Sequence, residues 1–229
     1  MINNQKYIDY LVSDYIKPKI DLCLNEDLNT NDRIIQEHYS NRFNNSLNFK
    51  RFQEYYFTTT GDFVEIDKDN FISNVKKYYS IQGVSSIELN YLEKHKTEIV
   101  ELILRDKIVD IYFRFFYSLN GKNHGSFFTK IVHSVIPEKY CPVDIPIREF
   151  FNLKNENYYF SMLALSRAFV KWGNENDKRL GVLKKMLITE TIKIFPNISA
   201  SSITEKMNDI KILNIIFWSL SINHKNKTT

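Results

Sequence analysis

Three side chains that can take part in covalent chemistry lie in one stretch of the chain, residues 121–148. They are Lys130, His133 and Asp144, which offer an amine, an imidazole and a carboxylate. A lysine amine becomes a nucleophile when burial or neighbouring cations lower its pKa. A carboxylate close to a reacting centre stabilises positive charge that develops there, or orients the group that attacks. The sequence leaves both roles of Asp144 open.

Each of these residues also has a purely structural interpretation. Asp144 stands at the start of a helical segment, where its side chain can accept hydrogen bonds from the first amides of the helix. Lys130 shares one face of the preceding helix with Phe127 and His133, by i, i+3 spacing. A lysine on such a face is commonly solvated, and a histidine there is commonly part of the core. A helix cap and a catalytic role are compatible for Asp144.

The turn before this helix is rich in glycine and small polar residues. It follows a strongly helical segment, so we expect a tight turn with positive φ angles and a new helix from about Ser126. The free backbone N–H groups at the start of that helix form a ready site for a phosphate. The turn residues that we expect at such a backbone contact are Gly121, Lys122, Asn123, His124, Gly125 and Ser126.

Helical periodicity of the apolar residues runs through most of the chain. Residues 104–119 have the pattern of one face of a single long helix, and Ile210 to Leu220 is so apolar that we expect the most buried helix there. Residues 7–24 also predict a helix, which Pro18 should kink or shorten. Strand signals are confined to residues 57–66, which predict a small hairpin or a loop. The pattern predicts an all-α fold.

Composition narrows the class of protein further. The chain has 229 residues, a formal net charge of +4, 43% hydrophobic residues and only two cysteines, Cys23 and Cys141. The modest positive charge permits a nucleic-acid partner. The cysteines have no zinc-binding spacing, so we expect no metal and no cofactor. We find no signal peptide and no apolar run long enough for a membrane span, which predicts a cytoplasmic protein without a membrane partner.

Residues 121–151 resemble the helix-hairpin-helix DNA glycosylase superfamily, especially its oxoguanine glycosylase and endonuclease III branches. The resemblance rests on Thr129-Lys130 opening one helix and on Pro142-Val143-Asp144 opening the next. Two features differ from the family pattern. Phe127 and Phe128 stand where a second hairpin glycine is expected, and 144 − 130 = 14 residues separate the lysine from the aspartate, fewer than in typical members. The four-cysteine cluster of some members is missing, so no iron–sulfur cluster is expected.

The resemblance implies a function and a set of site residues. Lys130 matches the lysine that attacks the sugar, Asp144 matches the catalytic aspartate, and Gly125 lies near the DNA-binding hairpin. The target base must leave the duplex stack, because its glycosidic bond is inaccessible there. We expect Phe127, His133 and Tyr140 to line the pocket for the flipped base. DNA contacts are expected from residues 121–126 and also from Thr129 and Arg148.

The implied architecture is an all-α unit of two packed lobes with a DNA-binding cleft between them. Lobe A comprises about residues 28–141 and includes the hairpin, whereas lobe B comprises about residues 1–27 and 142–224. Residues 225–229 are expected to be a disordered tail. The implied partner is double-stranded DNA with a modified or damaged base, bound by a monomer. Excision of that base would serve DNA repair or defence against phage DNA.

Two other functions are compatible with the sequence. Arg33 and His38 fit the Arg-x4-His pattern of the HEPN ribonucleases, which predicts an RNA-cleaving helical toxin. A non-enzymatic helical module that binds nucleic acid needs nothing beyond the amphipathic helices. In that case neither Lys130 nor Asp144 matters to activity.

Overall fold

The computed structural model describes residues 4–25, 32–33, 35–37, 39–40, 57 and 70–227, and over these residues the fold is all-helical. This confirms the predicted all-α class. No β-strand occurs in these ranges, and the one isolated bridge there joins Leu119 to Lys122. Of the predicted hairpin or loop at 57–66, only Phe57 lies among the described residues. The division into two lobes and the cleft between them stay predictions.

The described part of the chain contains twelve helices with defined bounds. They are α1 (Asn4–Leu11), α2 (Lys17–Asn25), α3 (Phe71–Tyr78), α4 (Ser86–Lys94), α5 (Lys96–Leu104), α6 (Ile108–Ile111), α7 (Gly125–Val135), α8 (Ile145–Phe150), α9 (Tyr158–Glu175), α10 (Asp177–Ile194), α11 (Ala200–Lys206) and α12 (Asp209–Lys227). Two π-helical segments, Val12–Ile16 and Tyr112–Phe116, connect α1 to α2 and extend α6. The first of them ends two residues before Pro18, whose missing N–H and bulky ring disturb the regular helix.

The predicted single helix over residues 104–119 is wrong, because the chain turns between α5 and α6. Asp106 adopts a left-handed conformation with φ 59°, and the amide of Lys107 donates to the carbonyl of Leu102 at 2.8 Å. This is a Schellman ending, in which a left-handed residue satisfies the last carbonyls of a helix. Aspartate tolerates that conformation better than most residues, because its short polar side chain bonds locally. Leu104 is consequently 63% exposed.

Over residues 210–221, helix α12 is buried on most of its surface, as the apolar segment predicts. Residues 210–217 are all buried, although they include Lys211 and Asn214. Phe217 stacks on Phe169 of α9 with ring centroids 5.6 Å apart, and it also contacts Phe151 at 5.0 Å. These contacts pack α12 against α9 and against the end of α8. None of the helices in the described part of the chain is long and apolar enough to cross a membrane.

Candidate functional site

The turn before α7 has the predicted positive φ angles. Asn120 and Gly121 have φ 50° and 74°, and the bridge between Leu119 and Lys122 closes the turn. Two consecutive left-handed residues are typical of a type I′ turn, for which Asn-Gly is the preferred sequence. The turn is exposed from Asn120 to Asn123. Its tip is therefore open to a partner.

Helix α7 begins at Gly125, one residue before the predicted start. The side chain of Asn123 accepts a hydrogen bond from the Gly125 amide at 2.8 Å, so this amide is already satisfied. Gly125 is buried against Tyr158, and a Cβ atom at Gly125 would lie 2.2 Å from the tyrosine ring. The glycine is required here by the close approach of α9, independently of any contact with a phosphate. His124 is also buried, and its Nε2 lies 3.3 Å from a carboxylate oxygen of Glu88.

Thr129 joins the first turns of α7 to the segment that leads into α8. Its Oγ1 accepts a hydrogen bond from the amide of Val143 at 2.9 Å and lies 3.0 Å from the Val143 carbonyl oxygen. Ser126, one turn earlier, donates to the same carbonyl at 3.2 Å. We refer to these contacts of Ser126 and Thr129 with Val143 as the Thr129 clip. It fixes the position of Asp144, the next residue, relative to α7.

Asp144 caps α8, as predicted, and both of its carboxylate oxygens have a donor. Oδ1 accepts from the amide of Ile147 at 3.2 Å, and Oδ2 accepts from the indole Nε1 of Trp218 on α12 at 2.9 Å. The carboxylate is partly exposed. Two donors, one on each oxygen, fix the orientation of the carboxylate.

Lys130 faces the same site as Asp144. Its Nζ donates to Ser126 Oγ at 2.9 Å and lies 5.6 Å from the centre of the Tyr79 ring. Burial lowers the pKa of Lys130, and the negative charge of Asp144 opposes part of that shift. The amine and the carboxylate therefore interact electrostatically across the Thr129 clip. Ser126 contacts both Lys130 and Val143, the residue before Asp144, so the two residues that the resemblance pairs lie on neighbouring segments.

A second lysine, Lys211, lies close to this region and was not found from the sequence. It is 4% exposed, and burial lowers its pKa to about 7. Its charge acts on His133, whose pKa is lowered to about 3, first by burial and then by Lys211. The signal in the sequence was the presence of a lysine inside the mostly apolar run of α12. Helical spacing alone did not reveal which partners that lysine would meet.

The three predicted pocket residues are all buried in the fold. Phe127 is 1% exposed and packs edge-to-face on Phe116 with centroids 6.1 Å apart. The Nδ1 of His133 bonds the Tyr140 carbonyl at 2.6 Å, and the Tyr140 hydroxyl donates to Asp106. The Nδ1 of His133 and the Tyr140 hydroxyl are thus engaged inside the protein, whereas the buried Nε2 of His133 has no hydrogen-bond partner among the described residues. The role of these residues as a base pocket stays a prediction.

Arg148 is held by the protein itself. Its guanidinium donates to the carbonyls of Lys154 and Glu156 and lies 4.0 Å from the centre of the Tyr158 ring. It thereby ties the loop before α9 to α8. If Arg148 contacts DNA, as predicted, it does so with a guanidinium that already donates to two backbone carbonyls.

The residues of the alternative ribonuclease pattern are only partly described. Arg33 forms a surface ion pair with Glu37 at 3.3 Å. His38 lies outside the described residues. Likewise, the described part of the chain contains no group of three or more His, Cys, Asp or Glu residues arranged to hold a metal ion.

Comparison of the chain with known protein families, with curated proteins and with solved structures finds no match.

Proposed function

We propose that the protein is a DNA glycosylase that excises a modified base at the site formed by Lys130 and Asp144. One observation carries the proposal: an amine with a lowered pKa and a doubly hydrogen-bonded carboxylate interact at one partly exposed site. The Thr129 clip holds them there. The family resemblance supports the same pair of residues.

The carboxylate suits the charge that develops during base release. Departure of a base from deoxyribose leaves positive charge on the sugar, which a fixed anion stabilises. Asp144 already has a donor on each oxygen, so it acts as an oriented negative charge. That charge need not form a covalent bond or take up a proton to accelerate the reaction.

The amine suits attack on the sugar. Burial increases the fraction of Lys130 that is neutral, and a neutral lysine is the nucleophilic form. The Nζ atom would displace the base at C1′, and the base would leave with the electron pair of the glycosidic bond. The amine gives up one proton to the departing base. Opening of the C1′–O4′ bond of the sugar, with protonation of O4′, then converts the aminal into a protonated Schiff base that permits cleavage of the strand. Exposed residues Asn120 to Asn123 would contact the DNA backbone beside this site.

A screen of DNA substrates tests the proposal. The protein is incubated with duplex DNAs that carry oxidised purines, alkylated bases or bulky modified pyrimidines, and free bases are identified by mass spectrometry. We expect release of a base from at least one of these DNAs. Release from none of them, under conditions where the protein is folded, contradicts the proposal.

Borohydride reduction tests the role of Lys130 separately. Reduction of a Schiff base would link the protein covalently to its substrate DNA, and we expect this adduct to disappear in Lys130→Gln. Lys211→Gln is the matched control, because Lys211 is a buried lysine on α12, the helix that also carries Trp218. If the adduct were lost only in Lys211→Gln, Lys211 and not Lys130 would be the nucleophile. Base release without any adduct would make the enzyme monofunctional.

A further inference from the structure

One face of α12 is directed at the segment that carries Asp144. Asn214 donates from Nδ2 to the carbonyl of Pro142 at 3.0 Å, and Trp218, one turn further along, donates to Asp144. The side chain of Asn214 is buried, whereas Trp218 is only partly buried. Two side chains of one helix thus fix both ends of residues 142–144.

Two hydrogen bonds hold the carboxylate of Asp144, and the one from Trp218 joins residues that are far apart in the chain. The bond from Ile147 is a local helix cap, three residues away in the chain, and leaves rotation of the carboxylate about its remaining axis unrestrained. The bond from Trp218, 74 residues away, fixes the second oxygen and therefore the plane of the group. A bond to an ionised acceptor is shorter and stronger than one between neutral groups.

We propose that Trp218 is a positioning residue that orients the carboxylate of Asp144 toward the reacting sugar. The inference rests on the proposed function, which supplies the reaction that Asp144 serves. Trp218 itself need not touch the DNA. It acts through its indole N–H, which holds the negative charge in the direction where positive charge develops.

If Trp218 acts only by positioning Asp144, its loss should lower the rate of base release without changing the affinity for DNA. Loss of the indole donor leaves the DNA-binding surface at the turn before α7 unchanged, so the dissociation constant for DNA should change little. The single-turnover rate constant should fall about tenfold to a hundredfold, the range expected when one charge-assisted hydrogen bond in a preorganised site is lost. A purely structural role would instead lower the stability and weaken both quantities together.

Nuclear magnetic resonance tests the contact before any activity is measured. The chain has two tryptophans, Trp172 and Trp218, so the indole N–H region contains two signals, which Trp172→Phe assigns. We expect Asp144→Asn to shift the Trp218 signal, because an amide oxygen is a weaker acceptor than a carboxylate. The Trp172 signal should stay in place. An unchanged Trp218 signal overturns the contact and the proposed positioning role.

The kinetic test compares Trp218→Phe with Trp172→Phe. Both variants lose one indole, but the Nε1 of Trp172 is buried without a hydrogen-bond partner among the described residues. We expect slower base release at unchanged DNA affinity in Trp218→Phe, and a wild-type rate in folded Trp172→Phe. Equal rates in wild type and Trp218→Phe overturn the role of Trp218 while the proposed function stands. Absence of base release from the wild type on every DNA overturns the proposed function itself.

Discussion

Burial lowers the pKa of both Lys130 and Lys211, although Lys130 is partly exposed and Lys211 is buried. Their surroundings differ. The amine of Lys130 donates a hydrogen bond to the hydroxyl of Ser126 and is influenced by the charge of Asp144. The charge of Lys211, in contrast, lowers the pKa of His133. The first arrangement keeps an amine available beside a carboxylate. The second imposes a cost on folding, because burial disfavours the charged form of the Lys211 amine.

Replacement of Lys211 by Met should stabilise the protein near neutral pH. The pKa of Lys211 is about 7 in the folded protein and about 10.4 in the unfolded chain, so the unfolded chain binds more protons between these values. The free energy of unfolding therefore falls as the pH drops from 10.4 to 7, by several kcal/mol, since one pKa unit corresponds to about 1.4 kcal/mol. Lys211→Met removes this loss.

Urea denaturation of wild type and Lys211→Met at pH 7 and at pH 10 measures this effect. The gain in stability should be larger at pH 7 than at pH 10. Lys185→Met, at an exposed position of α10, is the control and should show no such difference. A gain that is equal at both pH values would contradict the buried amine.

The residues of the site differ in how far the sequence could predict them. The capping role of Asp144 depends on its own helix and was predicted from local sequence. The pairing of Lys130 with Asp144 came from the resemblance, because no local rule places residues 14 positions apart side by side. Lys211 and Trp218 were missed as site residues, since both reach the site from α12 by tertiary packing. Their apolar sequence context predicted burial and nothing more.

At the scale of elements, the Thr129 clip is the contact that sets α7 against the start of α8. Thr129→Val keeps the volume of the side chain but leaves the buried amide of Val143 without its acceptor. We expect a loss of about 1–3 kcal/mol in the free energy of unfolding, the cost of an unsatisfied buried donor. Base release should also slow, because Asp144 follows Val143 directly. Chemical denaturation and single-turnover kinetics measure the two effects.

Thr129→Ser is the matched variant for this test. It keeps the hydroxyl and removes one methyl group, so it should be more stable than Thr129→Val and should release bases faster. Packing alone predicts the reverse order, since valine fills the space of threonine better than serine does. A serine variant less stable than the valine variant would mean that the clip contributes little.

Two glycines in helices should respond oppositely to replacement by alanine. At Gly125, a Cβ atom would lie 2.2 to 2.7 Å from three atoms of Tyr158, so Gly125→Ala should destabilise the protein by about 1–3 kcal/mol. At Gly181 in α10, no atom lies within 4 Å of the added Cβ, so Gly181→Ala should stabilise it by about 0.5–1 kcal/mol. Thermal denaturation of both variants checks the contrast, and two shifts of the same sign would contradict it.

The elements were predicted well where caps and periodicity agree, and poorly where a turn lacks glycine and proline. Helix α7 begins one residue from its predicted start and ends before Pro137. The break at Asp106 was missed, because the apolar spacing continues across the turn between α5 and α6. Ser80 and Asn152 end α3 and α8 in the same left-handed way. Such endings depend on a left-handed backbone conformation. Asp, Asn and Ser can adopt it, but their presence in the sequence does not predict it.

At the scale of the whole molecule, buried titratable groups set how stability responds to acid. The pKa of His133 is lowered to about 3 by burial and by Lys211, whereas the unfolded chain has an ordinary value of about 6.5. The pKa of Glu88 is lowered to about 2, mainly by its bond to the Ser85 amide. In both cases the unfolded chain binds protons that the folded protein does not. Stability is therefore lost as the pH falls, from 6.5 toward 3 for His133 and from 4.5 toward 2 for Glu88.

His133→Asn should reduce this sensitivity to acid. The amide of asparagine can keep the bond to the Tyr140 carbonyl, but it does not titrate. The drop in unfolding free energy between pH 7 and pH 4 should be smaller than in the wild type, as measured by urea denaturation. His95→Asn is the control, because Nδ1 of His95 also bonds a backbone carbonyl, that of Tyr91, but at a partly exposed position. Equal pH dependence in the wild type and His133→Asn would contradict the burial of a neutral imidazole.

The measurement that bears most directly on the proposed site counts abasic sites in one substrate DNA after incubation with wild type, Asp144→Asn or Asp177→Asn. Asp177 is an exposed aspartate in the first turn of α10, remote in sequence from the site, and its variant carries the same chemical change. We predict abasic sites with the wild type and with Asp177→Asn, and a loss of about a hundredfold or more with Asp144→Asn. Equal numbers of abasic sites with the wild type and a folded Asp144→Asn would contradict the assignment.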